Sequence, residues 1–147
     1  MNDRAPLSGD VFIVDDNPVN IRRLSEVLKP AGAQIRAATT GARALEALRA
    51  QPADVVLLDV ELPDSSGFAI CEALLTDAGT RGLRVVFVTA HDSPLERSRA
   101  FRAGGADWMS KPFSDEEVLA RVGTQLELAR LAKENEALRR ELGRSDR

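Results

Sequence analysis

The sequence predicts an α/β fold in which helices cover both faces of a doubly wound, five-stranded parallel sheet. Two observations carry this prediction: short, unbroken apolar runs recur along the chain, and stretches with helical spacing separate them. Runs such as Val11–Val14 and Val55–Leu58 lack polar alternation, which is typical of strands buried on both faces. Strands that helices separate cannot pair through tight hairpins, so right-handed crossovers should make them parallel. The strand order expected at this size is 2-1-3-4-5.

The first half of the chain is predicted to alternate three strands with two helices. Asn17 and Pro18 follow the first strand, and this pair of an N-cap residue and a first-turn proline starts a helix that stops at Pro30 and Gly32. After the second strand, Thr40 is the expected N-cap of the next helix. The three strands are predicted at residues 11–14, 34–38 and 54–59.

The second half continues the alternation with two more strands and three helices. Gly67–Leu75 carries apolar residues at helical spacing, and a polar, glycine-containing stretch closes this third helix. Ser93 and Pro94 start the fourth helix as N-cap and first-turn proline. Ser114, with Glu117 three residues later, forms a capping box at the start of the last helix. The two strands are predicted at residues 83–88 and 107–110.

Composition narrows the class of protein. The 147 residues, 44% of them hydrophobic, suit one globular domain with its own core. A net charge of −3 provides no basic field that would recruit nucleic acid or an anionic membrane. No apolar run has the length of a spanning helix, and the polar start lacks a signal-peptide core, so we expect a cytoplasmic protein. Cys71 is the only cysteine, which excludes an intrachain disulfide and a CxxC metal cluster.

Reactive side chains follow the carboxyl ends of four predicted strands. They are Asp15, Asp16, Asp59, Thr89 and Lys111. The ligand crevice of an open parallel sheet lies at this edge, so we expect them to converge there. Three carboxylates repel one another, and Mg²⁺ is the usual cation that relieves this. The Thr89 hydroxyl, the Ala90 backbone amide and the Lys111 ammonium then supply donors for an anion.

This constellation predicts a phosphoryl site in which Asp59 is the nucleophile. A carboxylate attacks phosphorus when a metal ion and a cationic side chain neutralise the transferred oxygens. Judged on its own stretch, Asp59 is equally well explained as a cap of the loop that follows it, a common use of Asp. The agreement among four strand ends favours the chemical interpretation.

The motifs, in their order along the chain, resemble the receiver domain of bacterial two-component response regulators. They are Val14-Asp15-Asp16-Asn17, Leu58-Asp59 with Pro63 and Gly67, Val88-Thr89-Ala90, and Gly105-Ala106-Asp107 leading to Lys111-Pro112-Phe113. The similarity runs from about Val11 to Arg121. The resemblance implies that Asp59 is the phosphoacceptor and that one Mg²⁺ binds per chain.

The resemblance also implies roles for the residues around Asp59. Asp16 matches a direct Mg²⁺ ligand, Asp15 a metal partner that acts partly through water, and the backbone carbonyl of Glu61 a further ligand. Thr89 matches the switch hydroxyl and Lys111 the lysine that pairs with the phosphate. The Lys111-Pro112 peptide bond is expected to be cis.

Three positions depart from the usual pattern of the family or influence its chemistry. The aromatic residue that turns inward on activation is normally Tyr or Phe, and here it is Trp108. Trp108 either enters the inner pocket beside Thr89 or remains at the surface, and both alternatives stay open. Glu61 and His91 occupy positions that influence loss of the phosphoryl group in this family. A single His in a loop is more often plain solvated surface, which is the simpler expectation for His91.

The last helix continues beyond the domain with a heptad pattern. Its seam is predicted to consist of Leu128, Leu131, Asn135, Leu138 and Leu142. Asn135 takes an a position, which favours a parallel, two-stranded register, and Glu134 and Arg139 are placed to pair across the two chains. We therefore expect a coiled-coil stalk and a parallel homodimer. The alternative is that the leucines fold back onto the domain.

We expect four segments along the chain. They are a flexible leader over residues 1–10, a receiver over 11–126, a coiled-coil extension over 127–142 and a tail over 143–147. The predicted function is a switch that accepts a phosphoryl group from a sensor histidine kinase or a phosphotransfer protein and changes dimer or output geometry through the last helix. Its chemistry would be confined to Asp59, without turnover of an external substrate.

Three alternatives to a self-contained switch remain open. The chain is equally interpretable as the N-terminal receiver of a larger histidine kinase or diguanylate cyclase, with a C-terminal output domain missing here. A Mg²⁺-dependent phosphatase that forms an aspartyl phosphate is disfavoured, because the chain has no cap insertion to bind a substrate. A receiver-shaped dimerisation module without signalling is disfavoured by the complete set of acids, threonine and lysine.

Overall fold

The computed structural model describes residues 6–145, which are built around one parallel sheet. Its strands are β1 (Asp10–Val14), β2 (Gln34–Ala38), β3 (Val55–Leu58), β4 (Arg84–Thr89) and β5 (Asp107–Ser110). All neighbouring pairs are parallel and the order is β2-β1-β3-β4-β5, so the predicted topology is confirmed. The strand order reverses beside β1, and the carboxyl ends of β1 and β3 therefore lie side by side at the ligand-binding edge.

Five helices connect the strands and cover the sheet. They are α1 (Pro18–Ala31), α2 (Gly41–Ala50), α3 (Gly67–Thr76), α4 (Pro94–Arg102) and α5 (Asp115–Ser145). The side chains of Asn17, Thr40 and Ser93 accept backbone N–H groups at the helix starts, as the sequence predicts. Gly32 ends α1 in the left-handed region at φ 119°, a conformation that favours glycine.

The core lies in two layers, one on each face of the sheet. Val55 and Leu57 of β3 point to the face covered by α1 and α5, and Val56 and Leu58 point to the face covered by α2, α3 and α4. This alternation is the period-two geometry of a strand, and it requires apolar residues at every position when both faces are covered. The unbroken apolar runs in the sequence are its signature.

Ordered structure begins before the predicted domain boundary at Val11. The backbone N–H of Leu7 donates to the carbonyl of Ala31 at 2.7 Å, and the Leu7 side chain packs against the α1–α5 layer. Leu7–Asp10 is thus bound to the domain, whereas the expectation was a flexible leader up to residue 10. The rest of that prediction, residues 1–5, lies outside the described residues.

α5 is a single helix that extends beyond the sheet. It begins after the Ser114 cap and passes through Gly143 to Ser145, so the predicted tail starts within the helix. α5 runs antiparallel to the strands, because its Lys133 lies beside Asp54 at the amino end of β3. Its last turns consequently leave the domain at the edge opposite the carboxyl ends of the strands. Among residues 6–145, no helix is long and apolar enough to cross a membrane.

Asp54 is a charged anchor at this opposite edge. Its Oδ2 atom accepts the backbone N–H of Asp10 at 2.8 Å, and its Oδ1 atom accepts a hydrogen bond from Lys133 Nζ. Burial opposes ionisation of the carboxyl, but the Asp10 N–H and the Lys133 ammonium outweigh burial and lower the pKa of Asp54 below 3.8. The ionised carboxylate therefore stabilises the fold.

The pH dependence of unfolding should reveal this contribution. A group with a lowered folded-state pKa stabilises the protein above its unfolded pKa, and the stabilisation is lost as the pH falls through the folded pKa. We expect Asp54→Asn to lower the free energy of unfolding by about 1 kcal/mol at pH 7, with the deficit shrinking below the ordinary pKa of 3.8. Urea unfolding of both proteins between pH 7 and pH 3 measures the deficit. A deficit that does not change with pH would contradict this account.

Candidate functional site

The carboxyl ends of four strands converge at one cleft, as predicted. Asp59, Thr89 and Lys111 line it together with Asp16, and the buried Asp15 lies beneath it. The cleft has a volume of about 300 Å³. It opens at the point where β1 and β3 adjoin, which is where the strand order reverses. The sheet topology alone thus brings together residues that are far apart in the sequence.

Three carboxylates form the floor of the cleft. Asp15 and Asp59 are buried, Asp16 is exposed, and one carboxylate oxygen of each lies within 4.8 Å of the others. Carboxylate oxygens are the donors that hard divalent cations prefer, and an exposed member leaves room for water ligands. The donor set and its burial therefore fit a divalent cation, and these three residues are the ones that could hold it.

Lys111 bridges two of the three acids. Its Nζ atom lies 3.0 Å from Asp15 Oδ2 and 3.2 Å from Asp59 Oδ2. Burial opposes the charge of the ammonium, but the hydrogen bond and charge of Asp15 and the charge of Asp59 outweigh burial and raise the pKa of Lys111. Lys111 is therefore a permanent cation within reach of whatever binds to Asp59. The Lys111–Pro112 peptide bond is cis.

Asp59 lies directly after β3, at the centre of the sheet edge. Its Oδ1 atom accepts the Glu61 backbone N–H at 3.1 Å, which orients the carboxylate. Burial raises the pKa of Asp59 and the nearby Asp15 charge adds to this effect, while the Glu61 N–H and Lys111 oppose it. An oriented, partly desolvated carboxylate at the floor of a cleft has the geometry of a nucleophile.

Donors for an anion stand on the β4 side of the cleft. Thr89 is buried at the end of β4, and its Oγ1 atom accepts the His91 backbone N–H at 3.1 Å, which leaves the hydroxyl proton available for donation. Ala90 lines the cleft next to it. Thr89 and Lys111 thus approach the space above Asp59 from two neighbouring strands, as the sequence predicts.

His91 and Glu61 meet at the mouth of the cleft. The Nε2 atom of His91 lies 3.1 Å from Glu61 Oε1, and both side chains are largely exposed. His91 is exposed, in agreement with the simpler expectation of solvated surface, and it also contacts Glu61. Sequence spacing could not predict this pair, because the two residues belong to loops that only the β3–β4 pairing brings together.

Asn20 belongs to the site and was not among the predicted residues. Its Nδ2 atom lies 3.3 Å from Asp15 Oδ2, and the backbone N–H of Asn17 donates to Asp15 Oδ1 at 2.9 Å. These two groups orient the buried acid. The signal in the sequence was a polar residue in the first turn of the helix that follows the acid pair, which places its side chain next to the strand end.

Trp108 is buried, so the surface alternative is wrong for this structure. Only 7% of Trp108 is exposed, and its ring lies 6.2 Å from that of Phe87 at a tilt of 45°. Phe87 is its register partner on β4, two residues before Thr89. The indole therefore packs against β4, the strand that ends at Thr89.

Comparison with known protein families identifies the fold and its class. The family model described as the response regulator receiver domain matches residues 11–123. This chain is a member of that family. It is therefore a receiver domain of two-component signal transduction, and the match ends within α5, before the predicted seam begins.

Two curated relatives are similar to this chain over part of their length. The chain is 42% identical over 112 residues to the probable transcriptional regulatory protein TcrX of Mycobacterium tuberculosis, covering 76% of this chain and 47% of TcrX. It is 34% identical over 116 residues to the response regulator PleD of Caulobacter vibrioides, covering 79% of this chain and 26% of PleD. The receiver thus spans about half of one relative and a quarter of the other.

Solved structures confirm the architecture. A putative response regulator from Chloroflexus aurantiacus superposes with a TM-score of 0.78 at 30% identity, covering 82% of this chain and 98% of that one. The similarity extends over the whole of that smaller chain. The doubly wound parallel sheet predicted from the order of strands and helices is thereby confirmed.

Proposed function

We propose that this receiver accepts a phosphoryl group on Asp59 in a reaction that requires Mg²⁺. The observation that carries the proposal is the convergence of three acids and one lysine: one oxygen each of Asp15, Asp16 and Asp59 lies within 4.8 Å of the others, and Lys111 contacts two of these acids. The arrangement offers a cation site, a nucleophile and a fixed cation for the phosphoryl oxygens. The donor is a sensor histidine kinase or a phosphotransfer protein.

The chemical roles follow from the positions of the side chains. Asp15, Asp16, Asp59 and the Glu61 backbone carbonyl would hold the Mg²⁺ ion, which would supply positive charge to the phosphoryl oxygens. The carboxylate of Asp59 attacks phosphorus, its new O–P bond forms as the P–N bond of the donor phosphohistidine breaks, and the histidine nitrogen leaves with the electron pair. Lys111 exchanges its contact with Asp59 for one with a transferred oxygen.

Phosphorylation is proposed to shift the domain between two states. A phosphoryl group on Asp59 provides an acceptor for the Thr89 hydroxyl, which would draw the end of β4 toward the cleft. Trp108 packs against the same strand through Phe87, so its environment changes with Thr89. The phosphoryl group contacts Thr89 and Lys111 differently in the two states, and this difference moves the equilibrium.

A parallel homodimer through α5 is the second part of the proposal. Support comes from four seam leucines that remain exposed: Leu128 by 40%, Leu131 by 45%, Leu138 by 58% and Leu142 by 65%. The alternative that they fold back onto the domain finds no support in these exposures. An apolar stripe of this kind on a projecting helix is covered most simply by the same stripe of a second chain.

α5 has one face that packs against the sheet and another that carries the predicted seam. Residues Val122, Leu126 and Ala129 pack toward the sheet, and the helix advances about 100° per residue. Leu131 follows the buried Ala129 by two positions, about 200° around the helix, and therefore points away from the domain. Leu128 lies at the border of the buried face and lines a cavity together with Leu7. Glu134, proposed to pair with Arg139 of a second chain, contacts Arg130 within its own helix at 2.5 Å. That contact competes with the interchain pair.

The output of the switch is proposed from the geometry and from the relatives. α5 leaves the domain at the edge opposite Asp59, so a parallel dimer would place both phosphorylation sites at one end and both stalk ends at the other. The matched region covers 47% of one curated relative and 26% of the other, so both continue well beyond it. We infer that this receiver controls an output module through the stalk, with a histidine kinase or diguanylate cyclase as the alternative contexts.

Indole fluorescence tests the proposed chemistry. Trp108 is the only Trp and the chain has no Tyr, so its emission reports the β4–β5 region alone. We expect a first change on addition of Mg²⁺ and a second on addition of beryllium and fluoride, which together mimic a phosphoryl group. The second change should be absent in Asp59→Asn. A parent protein that responds to neither addition would refute the proposed site.

A further inference from the structure

The inference concerns Asp54 and Lys133, a pair of residues outside the phosphorylation site. Asp54 immediately precedes β3 and Asp59 immediately follows it, so one buried four-residue strand carries the phosphoacceptor at one end and Asp54 at the other. Lys133 lies on α5, 79 positions further along the chain, and its ammonium is hydrogen-bonded to the Asp54 carboxylate. No role for this pair follows from the phosphoryl chemistry.

Among the contacts described for residues 6–145, the Asp54–Lys133 pair is the outermost one that joins α5 to the sheet. About two turns earlier, Arg84 Nε donates to Oε1 of the buried Gln125 at 2.5 Å, and Ala129 is the last residue of α5 that is buried among those described. Beyond Ala129 a cavity of about 290 Å³ separates the helix from the loop that precedes β4. Apolar packing therefore does not hold this turn, and among the described residues the Asp54–Lys133 contact bridges the gap.

The surroundings of Asp54 fix the orientation of its carboxylate. Its side chain is only 14% exposed, and its second oxygen is already fixed by the Asp10 N–H at 2.8 Å. Gly9 lies against the same carboxylate, since a Cβ at Gly9 would come within 2.8 Å of Asp54 Oδ2. A carboxylate with one oxygen immobilised in this way offers the other to Lys133 in a defined direction.

Lys133 continues the face of α5 that is turned toward the sheet. The spacing from Leu126 through Ala129 to Lys133 is three and then four residues, which is one helical stripe. Asn135 follows Lys133 by two positions, about 200° around the helix. Fastening Lys133 to the sheet therefore turns Asn135 away from the domain, toward the position of a second chain.

We propose that Asp54 and Lys133 are positioning residues that set the direction and rotation with which the stalk leaves the receiver. The contact presents the seam residues Asn135 and Leu138 outward and ties the stalk to the strand that carries Asp59. This inference rests on the proposed signalling role of the stalk, but the geometry it predicts exists within one chain. Its test can therefore be separated from the test of the dimer.

Distance measurements between two spin labels provide that test. Labels at Gly82→Cys and Arg140→Cys report the position of the stalk relative to the receiver, and mixing with excess unlabelled protein leaves only distances within a chain. A Cβ added at Gly82 would meet no atom within 4 Å, and the Arg140 side chain is 72% exposed, so both sites accept a label. Cys71 is buried and the pKa of its thiol is raised to about 12, which keeps it unlabelled.

We expect a narrow distance distribution in the parent and a wider one in Lys133→Met, which keeps the side-chain length and removes the charge. Lys133→Arg should restore the parental width. The matched control is Arg130→Met, because the described contacts of Arg130, with Glu127 and Glu134, lie within the helix. The fluorescence response of Trp108 to Mg²⁺ and to the phosphoryl mimic should be the same in all four proteins.

Equal widths in the parent and Lys133→Met would overturn the inference, as would equal widening in Arg130→Met. Lys133 is exposed, so its substitution leaves the folded core intact. Sedimentation of the same samples reports the dimer independently. A monomer with a narrow parental distribution would refute the proposed dimer and retain the anchor, whereas a dimer with unchanged widths would do the reverse.

Discussion

Asp59→Asn is expected to accept a phosphoryl group at least about 1,000-fold more slowly than the parent protein. An amide lacks the anionic oxygen that attacks phosphorus, and it removes one of the three carboxylates that lie within 4.8 Å of one another. The measurement is transfer of radiolabelled phosphate from a small acyl phosphate donor in the presence of Mg²⁺. The label on the parent should be released by hydroxylamine, which cleaves acyl phosphates.

Asp64→Asn, in the loop between β3 and α3 that begins with Asp59, is a control that distinguishes loss of the phosphoacceptor from loss of any negative charge. Asp64 accepts the backbone N–H groups of Gly41 and Ala42 at 2.9 Å and caps α2 outside the cleft. Asp64→Asn should therefore accept phosphate at close to the parental rate. If both substitutions reduced the rate equally, Asp59 would not be the phosphoacceptor.

The charge balance of Asp59 predicts that Asp59→Asn remains folded. Because the folded-state pKa of this carboxyl is raised above 3.8, its ionised form costs stability at every pH above the folded pKa. Asp59→Asn removes that cost at pH 7, including the part of it that comes from repulsion with Asp15. The variant is therefore expected to unfold at a urea concentration no lower than the parent. Parallel urea titrations at pH 7 provide the measurement.

The double substitution Leu131→Glu, Leu138→Glu is expected to weaken the dimer at least about 100-fold. Both leucines lie on the exposed seam, with 45% and 58% of their surface accessible in the single chain. In a parallel pair the change removes four leucines from the interface and places four carboxylates there, where burial of an unpaired charge is costly. Sedimentation equilibrium over a range of protein concentrations measures the dissociation constant.

The control places more negative charge outside the seam than the leucine substitutions place within it, because Arg140→Glu also removes a positive charge. Ala137 and Arg140 lie on the same helical segment but at positions that face solvent in the heptad frame. Ala137→Glu with Arg140→Glu should leave the dimer within a few-fold of the parent. A parent that is monomeric at high concentration, with and without the phosphoryl mimic, would rule out the coiled-coil proposal for this chain.

Much of the fold was predictable because parallel strands leave an unambiguous pattern. Strands covered on both faces must be apolar at every position, so the runs at β1, β3 and β4 stand out from the helical segments around them. The connections between such strands are nearly always right-handed, which limits the topology to a few orders. The reactive residues then follow from a simple rule, because they directly succeed the strand ends.

The residues that prediction missed or left open depend on contacts between loops and faces. The burial of Trp108 depends on the space available beside the Phe87 ring, and the spacing of residues along the sequence does not indicate how large that space is. Glu61 and His91 meet only because β3 and β4 are adjacent. Asn20 is one polar residue among several at the start of α1, and its contact with Asp15 depends on the angle at which the helix leaves the strand.

The amino-acid sequence by itself determined the order of elements, the acids and lysine of the site, and the heptad pattern of α5. The local sequence pattern suffices to predict these features, because the spacing of apolar residues and the residues that follow each strand can be read from neighbouring positions. The tertiary structure alone decided how α5 is oriented on the sheet and which of its faces packs against the domain. Asp54 and Lys133 are 79 positions apart. Charged residues are frequent on every protein surface, so no sequence pattern distinguishes Asp54 and Lys133 from other acidic and basic residues. Only the fold brings these two side chains into contact.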